Sequence, residues 1–165
     1  MTNEQIKQQL IDKFGDLVYH FEEPYGMLTF ETATDNNLKV LTFLHDDAQI
    51  GFHFLNDLTA VHYPDNKDKE LAVVYMLQNI TLGLRIRFKV FVPIDKPDVF
   101  TATSVFATAN WLEREAYDFF GINFVGHPNL IRIMNVEEMD YFPLRKEYKL
   151  EEQTRTDKDD DMFGR

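Results

Sequence analysis

Between Leu84 and Val92 the chain alternates: Leu84, Ile86, Phe88, Val90 and Val92 are apolar, and Arg85, Arg87 and Lys89 stand between them. A period of two puts every second side chain on one face of an extended strand, and a helix cannot reproduce it. The pattern therefore predicts a half-buried strand with a basic outer row. Just upstream, Glu70 to Leu77 is apolar at consecutive positions, the pattern of a central strand covered on both faces. Two such strands commit the chain to a sheet, and the other elements must pack around it.

Those elements are readable from spacing. Phe52 to Tyr63 alternates imperfectly and predicts a third long strand, while Asp16 to Phe21 and Met27 to Glu31 predict short ones joined by the turn Glu23-Pro24-Tyr25-Gly26. Thr2 with Gln5 forms a capping box ahead of a helix whose inner face is Ile6, Leu10 and Phe14 and which Gly15 ends. A second helix starts near Thr34 or Asp35, with Leu38, Leu41, Leu44 and Ala48 facing inward. A third begins near Thr103 or Ser104 and carries the stripe Val105, Ala109, Leu112, Ala116 and Phe119, with Gly121 placed to end it in a left-handed conformation. The fold class is α+β: a mixed or antiparallel sheet of about five strands with packed helices and an extended C-terminal arm. Residues 1–126 form the domain, 127–150 the interaction arm and 151–165 a charged tail.

Composition removes several functions. The chain has 165 residues, enough for one domain, and 44% hydrophobic content with 15 phenylalanines supports a substantial core. A net charge of −11 disfavours nucleic acid and direct adsorption to an anionic membrane. With no cysteine there is no disulfide framework, no thiolate cluster ligation and no cysteine nucleophile. The Met-Thr-Asn-Glu-Gln start lacks a signal peptide's basic and apolar regions, and no apolar run approaches the roughly 20 residues that span a bilayer. An intracellular protein that reaches a membrane through partners is expected. Gly83, Gly121 and Gly126 build no phosphate-cradling loop, so no nucleotide or flavin site is expected here.

The polar side of the third helix carries Glu113, Arg114 and Asp118, with Arg114 and Asp118 four apart and able to pair. As an exposed pair they would contribute only about half a kcal/mol. Glu113, Glu115 and Asp118 with His127 can be drawn as a metal or acid–base cluster of a hydrolase. However, Glu113 and Glu115 point about 200° apart on a helix, so only Glu115 and Asp118 can share a site. His127, between Gly126 and Pro128, is placed to fix a turn by a backbone hydrogen bond. Asp157, Asp159 and Asp161 alternate as at the start of an EF-hand loop, but Met162 stands where glycine is needed. Asn129 to Tyr148 mixes Leu130, Ile131, Ile133, Met134, Tyr141, Phe142 and Leu144 with Arg132, Arg145 and Lys146 and shows no strong period, which fits an arm laid over a neighbour or over its own domain.

Taken together, Glu113-Arg114-Glu115-Ala116-Tyr117-Asp118, Phe119-Phe120-Gly121-Ile122, Gly126-His127-Pro128 and Pro143-Leu144-Arg145-Lys146 resemble the signature of the thirty-kilodalton subunit of respiratory complex I, the C subunit of the bacterial NADH:quinone oxidoreductase. Asp57-Leu58-Thr59-Ala60-Val61 with Tyr63-Pro64 extends the resemblance upstream. The chain departs from the family pattern at His62, where an acid is usual, at Ile131, where a basic residue is usual, and at Glu147, often Asp. The resemblance implies a cofactor-free structural subunit of the peripheral arm of a proton-translocating enzyme, on the cytoplasmic side of the bacterial inner membrane. It would dock on the quinone-site D subunit and near the iron–sulfur B and I subunits, with NADH, FMN, iron–sulfur clusters and quinone held by partner subunits. It also implies that Glu113, Arg114, Glu115, Asp118, His127, Arg132, Arg145 and Lys146 serve interfaces. The equivalent subunit of a membrane-bound hydrogenase, and an independent hydrolase using Glu115, Asp118 and His127, are the alternatives.

Overall fold

The computed structural model describes residues 1–148. The charged tail at 151–165 and its aspartate alternation lie outside the described residues. Helix α1 (Asn3–Phe14) opens on the expected capping box: the Gln5 N–H donates to Thr2 Oγ1 and the Thr2 N–H to Gln5 Oε1 at 2.9 Å. Strands β1 (Val18–Glu22) and β2 (Leu28–Thr32) form an antiparallel hairpin. Helix α2 (Asn37–Asp46) follows a short turn at Thr34–Asn36 and buries Val40, Leu41 and Leu44. Leu38 is only half-buried and Ala48 is exposed, so the inward face is rotated toward Val40 relative to the spacing-based expectation.

Strands β3 (Phe54–His62), β4 (Leu71–Asn79) and β5 (Leu84–Val92) run as an antiparallel meander. Strand β5 then pairs parallel to β2, giving one five-stranded mixed sheet in the order β1-β2-β5-β4-β3. The alternation of β5 is realised: Ile86, Phe88, Val90 and Val92 are buried in the core. An aromatic stack crosses four strands from Phe21 through Phe30 and Phe88 to Tyr75, with centroid spacings of 5.5, 5.4 and 4.5 Å. Offset pairs of this kind add about 0.5–1.5 kcal/mol each beyond their burial.

The double coverage expected for β4 takes another form. Leu71, Val73, Tyr75 and Leu77 enter the core that all three helices share, whereas Ala72 and Val74 are buried outside it. Those two lie in register with Phe91 and Lys89 of β5 and with Val61 and Thr59 of β3. Consecutive burial here comes from a helix-covered face and from long neighbours on the sheet itself.

Two short strands were not legible in the sequence. Strand β6 (Asp98–Phe100) pairs parallel to β7 (Asn123–Val125), and helix α3 (Ala109–Phe120) connects them. Helix α3 starts later than the Thr103 or Ser104 cap predicted. Residues 102–106 make one isolated turn, with the Phe106 N–H donating to the Ala102 carbonyl, and the continuous helix begins only at Ala109. Glu113 captures the Ala102 N–H and holds that turn out of line.

Candidate interaction site around α3

Helix α3 packs Ala109 and Ala116 into the core, as its stripe predicted. Its other face departs from expectation, because Glu113, Arg114 and Asp118 are buried too. Buried charge requires partners, since desolvation costs several kcal/mol per ion. Arg114 and Asp118 do not pair with each other. The Arg114 side chain donates from Nε to the Ile131 carbonyl at 3.2 Å and stacks on Trp111, 4.8 Å from the ring centre. Asp118 finds its cation in Arg132, fourteen residues on, at 2.8 Å.

Asp118 organises the segment that follows. Its Oδ2 accepts the N–H groups of Ile133, Met134 and Asn135 at 3.0, 2.7 and 3.0 Å, and its Oδ1 also accepts the Asn135 side-chain amide at 3.0 Å. Burial by itself would raise the Asp118 pKa. The Met134 and Asn135 donors and the Arg132 guanidinium overcome it and hold the carboxyl well below the usual range. Arg132 in turn donates from Nη2 to the carbonyls of Met139 and Tyr141 at 2.9 and 3.0 Å. One ion pair thus fixes a loop of about ten residues that has no regular structure to hold it.

The next stretch returns to the C-terminal end of α3. Gly121 adopts φ 74°, the left-handed cap anticipated from sequence. It is also a point of close approach: a Cβ there would meet Phe142 at 2.5 Å and Arg145 Nη2 at 2.6 Å. Arg145 donates from Nε to the Phe120 carbonyl at 2.7 Å, and the guanidinium groups of both Arg145 and Arg132 lie against the Phe142 ring, 4.6 and 5.1 Å from its centre. Farther along, the Lys146 N–H donates to Nδ1 of buried His62 at 2.8 Å. His62 therefore supplies an acceptor, which the acidic residue usual at that position could equally provide. Ile131 is used through its backbone carbonyl, so the missing basic side chain leaves the Arg114 contact intact.

Glu113 faces the other way. Its Oε1 accepts the Ala102 N–H at 2.6 Å and its Oε2 lies 2.5 Å from the Thr101 hydroxyl. Burial pushes its carboxyl up to about 7, against the lowering effect of the Thr101 and Ala102 hydrogen bonds. His127 accepts the Asn129 N–H at Nδ1 and lies 3.1 Å from the Asn110 carbonyl through Nε2, so it fixes its turn by backbone bonds. Glu115, by contrast, is exposed, and Lys146 is exposed as well. Glu115, Asp118 and His127 form no cluster: Glu115 is exposed, while the Asp118 and His127 side chains are enclosed with their polar atoms engaged by different segments.

Much of what remains on the outside is apolar. Trp111 is 62% exposed, Met134 69% and Val136 63%, with Ile131, Tyr141, Leu144 and Tyr148 also outward. Arg132 and Arg145 are turned in to hold the segment, Glu137, Glu138, Asp140, Lys146 and Glu147 are exposed, and several large hydrophobic side chains are turned out between them.

The profile of the family described as "Respiratory-chain NADH dehydrogenase, 30 Kd subunit" matches residues 30–154. The chain belongs to this family. Relatives in the 30 Kd subunit family include the C 1 subunit of the NADH-quinone oxidoreductase of Rhizobium meliloti (strain 1021), 41% identical over 146 residues that cover 88% of this chain and 72% of the relative. The corresponding C subunit of Chlorobium phaeobacteroides is 38% identical over 157 residues, covering 90% and 93%. Against the C subunit of Streptomyces coelicolor, 42% identical, the chain spans about half the relative's length, with 50% covered. Among solved structures, the trypsin-resistant fragment (1–134) of Nqo5 is 32% identical with a TM-score of 0.66, covering 79% of this chain and all of the fragment. A chain of the membrane-bound sulfane sulfur reductase, an archaeal respiratory membrane complex, is 26% identical with a TM-score of 0.75, covering 89% and 85%. The α+β fold with its mixed sheet is thus the family's fold. Among the described residues no helix is long and apolar enough to cross a membrane, and no group of three or more acids and histidines could hold a metal ion.

Around the family signature, the structure adds partners that sequence reasoning did not single out: Asn135 completes the Asp118 contacts and Thr101 that of Glu113, while Phe142, read from sequence only as an apolar residue of the arm, completes those of Arg145. No sequence signal marks Asn135, because its role depends on a loop that only Asp118 creates.

Proposed function

We propose that this chain is a structural subunit of the peripheral arm of a proton-translocating NADH:quinone oxidoreductase, carrying no redox group of its own. It docks on the quinone-site D subunit and the iron–sulfur B and I subunits, on the cytoplasmic side of the membrane. The observation that supports this reading best is the segment from Leu130 to Tyr148. Its two arginines, Arg132 and Arg145, are spent on fixing its shape, and Ile131, Met134, Val136, Tyr141, Leu144 and Tyr148 are presented outward among the exposed Glu137, Glu138, Asp140, Lys146 and Glu147. Fixed apolar and aromatic side chains lose little entropy when a partner covers them and bury area favourably. Trp111 and Glu115 extend that surface along α3, with Arg114 stacked behind the indole. Of the eight residues proposed for interfaces, Glu113, Arg114, Asp118, His127, Arg132 and Arg145 serve by shaping the surface, while Glu115 and Lys146 are available for direct contact.

Electron transfer in this reading belongs to the partners, and this chain positions them. The test is gentle extraction of membranes from cells carrying the tagged chain, with mass spectrometry and an NADH:quinone assay on the eluate. Recovery of the B, D and I subunits with NADH-dependent quinone reduction is the expected result. A lone chain, or an assembly without NADH activity, would overturn it. The similarity to the sulfane sulfur reductase chain favours one second reading, the equivalent subunit of a related membrane complex, a class that includes membrane-bound hydrogenases, with a different electron donor. The co-purifying subunits distinguish the two.

A further inference from the structure

Glu113 is buried completely, and among the described residues no lysine or arginine lies within ion-pair distance of it. The nearest basic group is His127 Nε2 at 3.9 Å, itself with no exposed side-chain surface. His127 cannot supply the missing charge. Its Nδ1 faces the Asn129 N–H at 3.0 Å and must accept, so the ring hydrogen resides on Nε2, directed to the Asn110 carbonyl. An imidazolium would set two N–H groups against each other at Nδ1. The other titratable group facing Glu113 is Tyr75 of β4, whose hydroxyl is kept neutral by burial. From β3, against which α3 packs, His62 is turned to the Lys146 backbone instead. A carboxyl enclosed by neutral groups is stabilised by a proton rather than by a counterion.

A path for that proton is present. Glu113 Oε2 lies 2.5 Å from Thr101 Oγ1, and Thr101 Oγ1 lies 2.9 Å from Thr103 Oγ1. Either hydroxyl of the threonine pair can be the donor. Thr101 and Thr103 are both half-buried, so the pair of hydroxyls connects the enclosed carboxyl to the surface. We propose that Glu113 is a buried proton-binding site that exchanges with solvent through the Thr101 and Thr103 hydroxyls. In the loaded state Glu113 donates from Oε2 to Thr101, Thr101 donates to Thr103, and Thr103 donates outward. On release each hydrogen moves one oxygen outward and the Thr103 hydrogen leaves to water, so one proton is gained by solvent and one negative charge is left on Glu113. Both hydroxyls then point inward, Thr103 to Thr101 and Thr101 to the carboxylate. The Ala102 N–H bond to Oε1 persists in both states and becomes charge-assisted after release. Proton release therefore strengthens that one bond, between the end of β6 and α3, while leaving a charge buried beside it.

The site is tested on the purified full chain by following the assigned carboxyl carbon of Glu113 by NMR through a pH titration, with infrared spectroscopy of the carboxylic C=O band alongside. A midpoint between about pH 6 and 8, within the range that buried carboxyls reach, and loss of the band in Glu113→Gln are expected. A midpoint below about pH 5, as for an ordinary glutamate, would overturn the proton site. The relay is tested separately by hydrogen–deuterium exchange of the band: Thr103→Val should slow it relative to the unaltered chain while leaving the midpoint in place. Unchanged exchange in Thr103→Val would overturn the route through the hydroxyls. The titration of the unaltered chain decides the first point even if Glu113→Gln fails to fold.

Discussion

Arg132 donates to Asp118 at 2.8 Å in a pair whose side chains are 8% and 0% exposed, and the two residues bind an otherwise irregular loop to α3. Arg132→Met would leave a buried carboxylate without its cation. Breaking such a pair costs about 3–5 kcal/mol, and here the remaining N–H donors to Asp118 keep the cost near the lower end. A fall in Tm of roughly 10 °C is expected by calorimetry, from about 2–4 °C per kcal/mol for a chain of this size. A fall under about 2 °C would mean that the N–H donors suffice alone.

Gly121→Ala is expected to destabilise more than Gly83→Ala. Both glycines have positive φ, 74° and 67°, so each alanine bears a backbone cost of about 1 kcal/mol. A Cβ at Gly83 meets nothing within 4 Å, whereas at Gly121 it collides with Phe142 and Arg145. Urea unfolding of the two variants gives the difference, and equal midpoints would remove the close approach from the account.

Acid should loosen the Asp118 loop. The folded carboxyl lies below its ordinary value of 3.8, so the unfolded chain takes up the proton first as pH falls. The stabilisation is complete above about pH 5 and is lost progressively below it. In Asp118→Asn the acid limb of a stability–pH curve should be flatter; an unchanged limb would assign acid unfolding to other carboxyls.

Glu113 has the opposite sign. Its folded carboxyl lies near 7, above the ordinary 4.5, so the folded chain holds the proton longer as pH rises. Its contribution is complete below 4.5 and is lost as pH rises through about 7. Relative to the unaltered chain, Glu113→Gln should lose this downward slope across neutrality, measured by denaturant midpoints at several pH values. Parallel curves would contradict the shift.

Val136→Asp should separate stability from assembly. Val136 is 63% exposed, so the isolated chain should change by less than about 0.5 kcal/mol. The yield of assembled enzyme recovered through the tagged chain should fall several-fold if a partner covers this surface. Unaltered yield would place the contact elsewhere.

The sheet was legible because β5 writes its burial in a period of two and β4 in consecutive apolar residues. The class followed from those and from three helical stripes. Strands β6 and β7, three residues each, are too short for any period to show, and their pairing is created by the helix between them. For the site, the signature residues were identifiable but their partners were not. Arg114 and Asp118 stand at pairing distance on a helix, and yet Arg114 stacks on Trp111 of the same helix, while Ile131 and Arg132 are brought near by a loop without a pattern. Burial of Glu113, Arg114 and Asp118 was missed for the same reason: what covers them is non-local.

The parallel seam between β2 and β5 also sets an order of events during synthesis. Phe30 and its stacking partner Phe88 are 58 positions apart in the chain. At roughly 5–20 residues per second, the N-terminal hairpin leaves the ribosome some 3–12 seconds before the strand that covers it. Nascent chains halted before Leu84 therefore present Phe30 without the neighbour that completes its stack, and the newborn protein depends for those seconds on whatever else in the cell will shield an aromatic face.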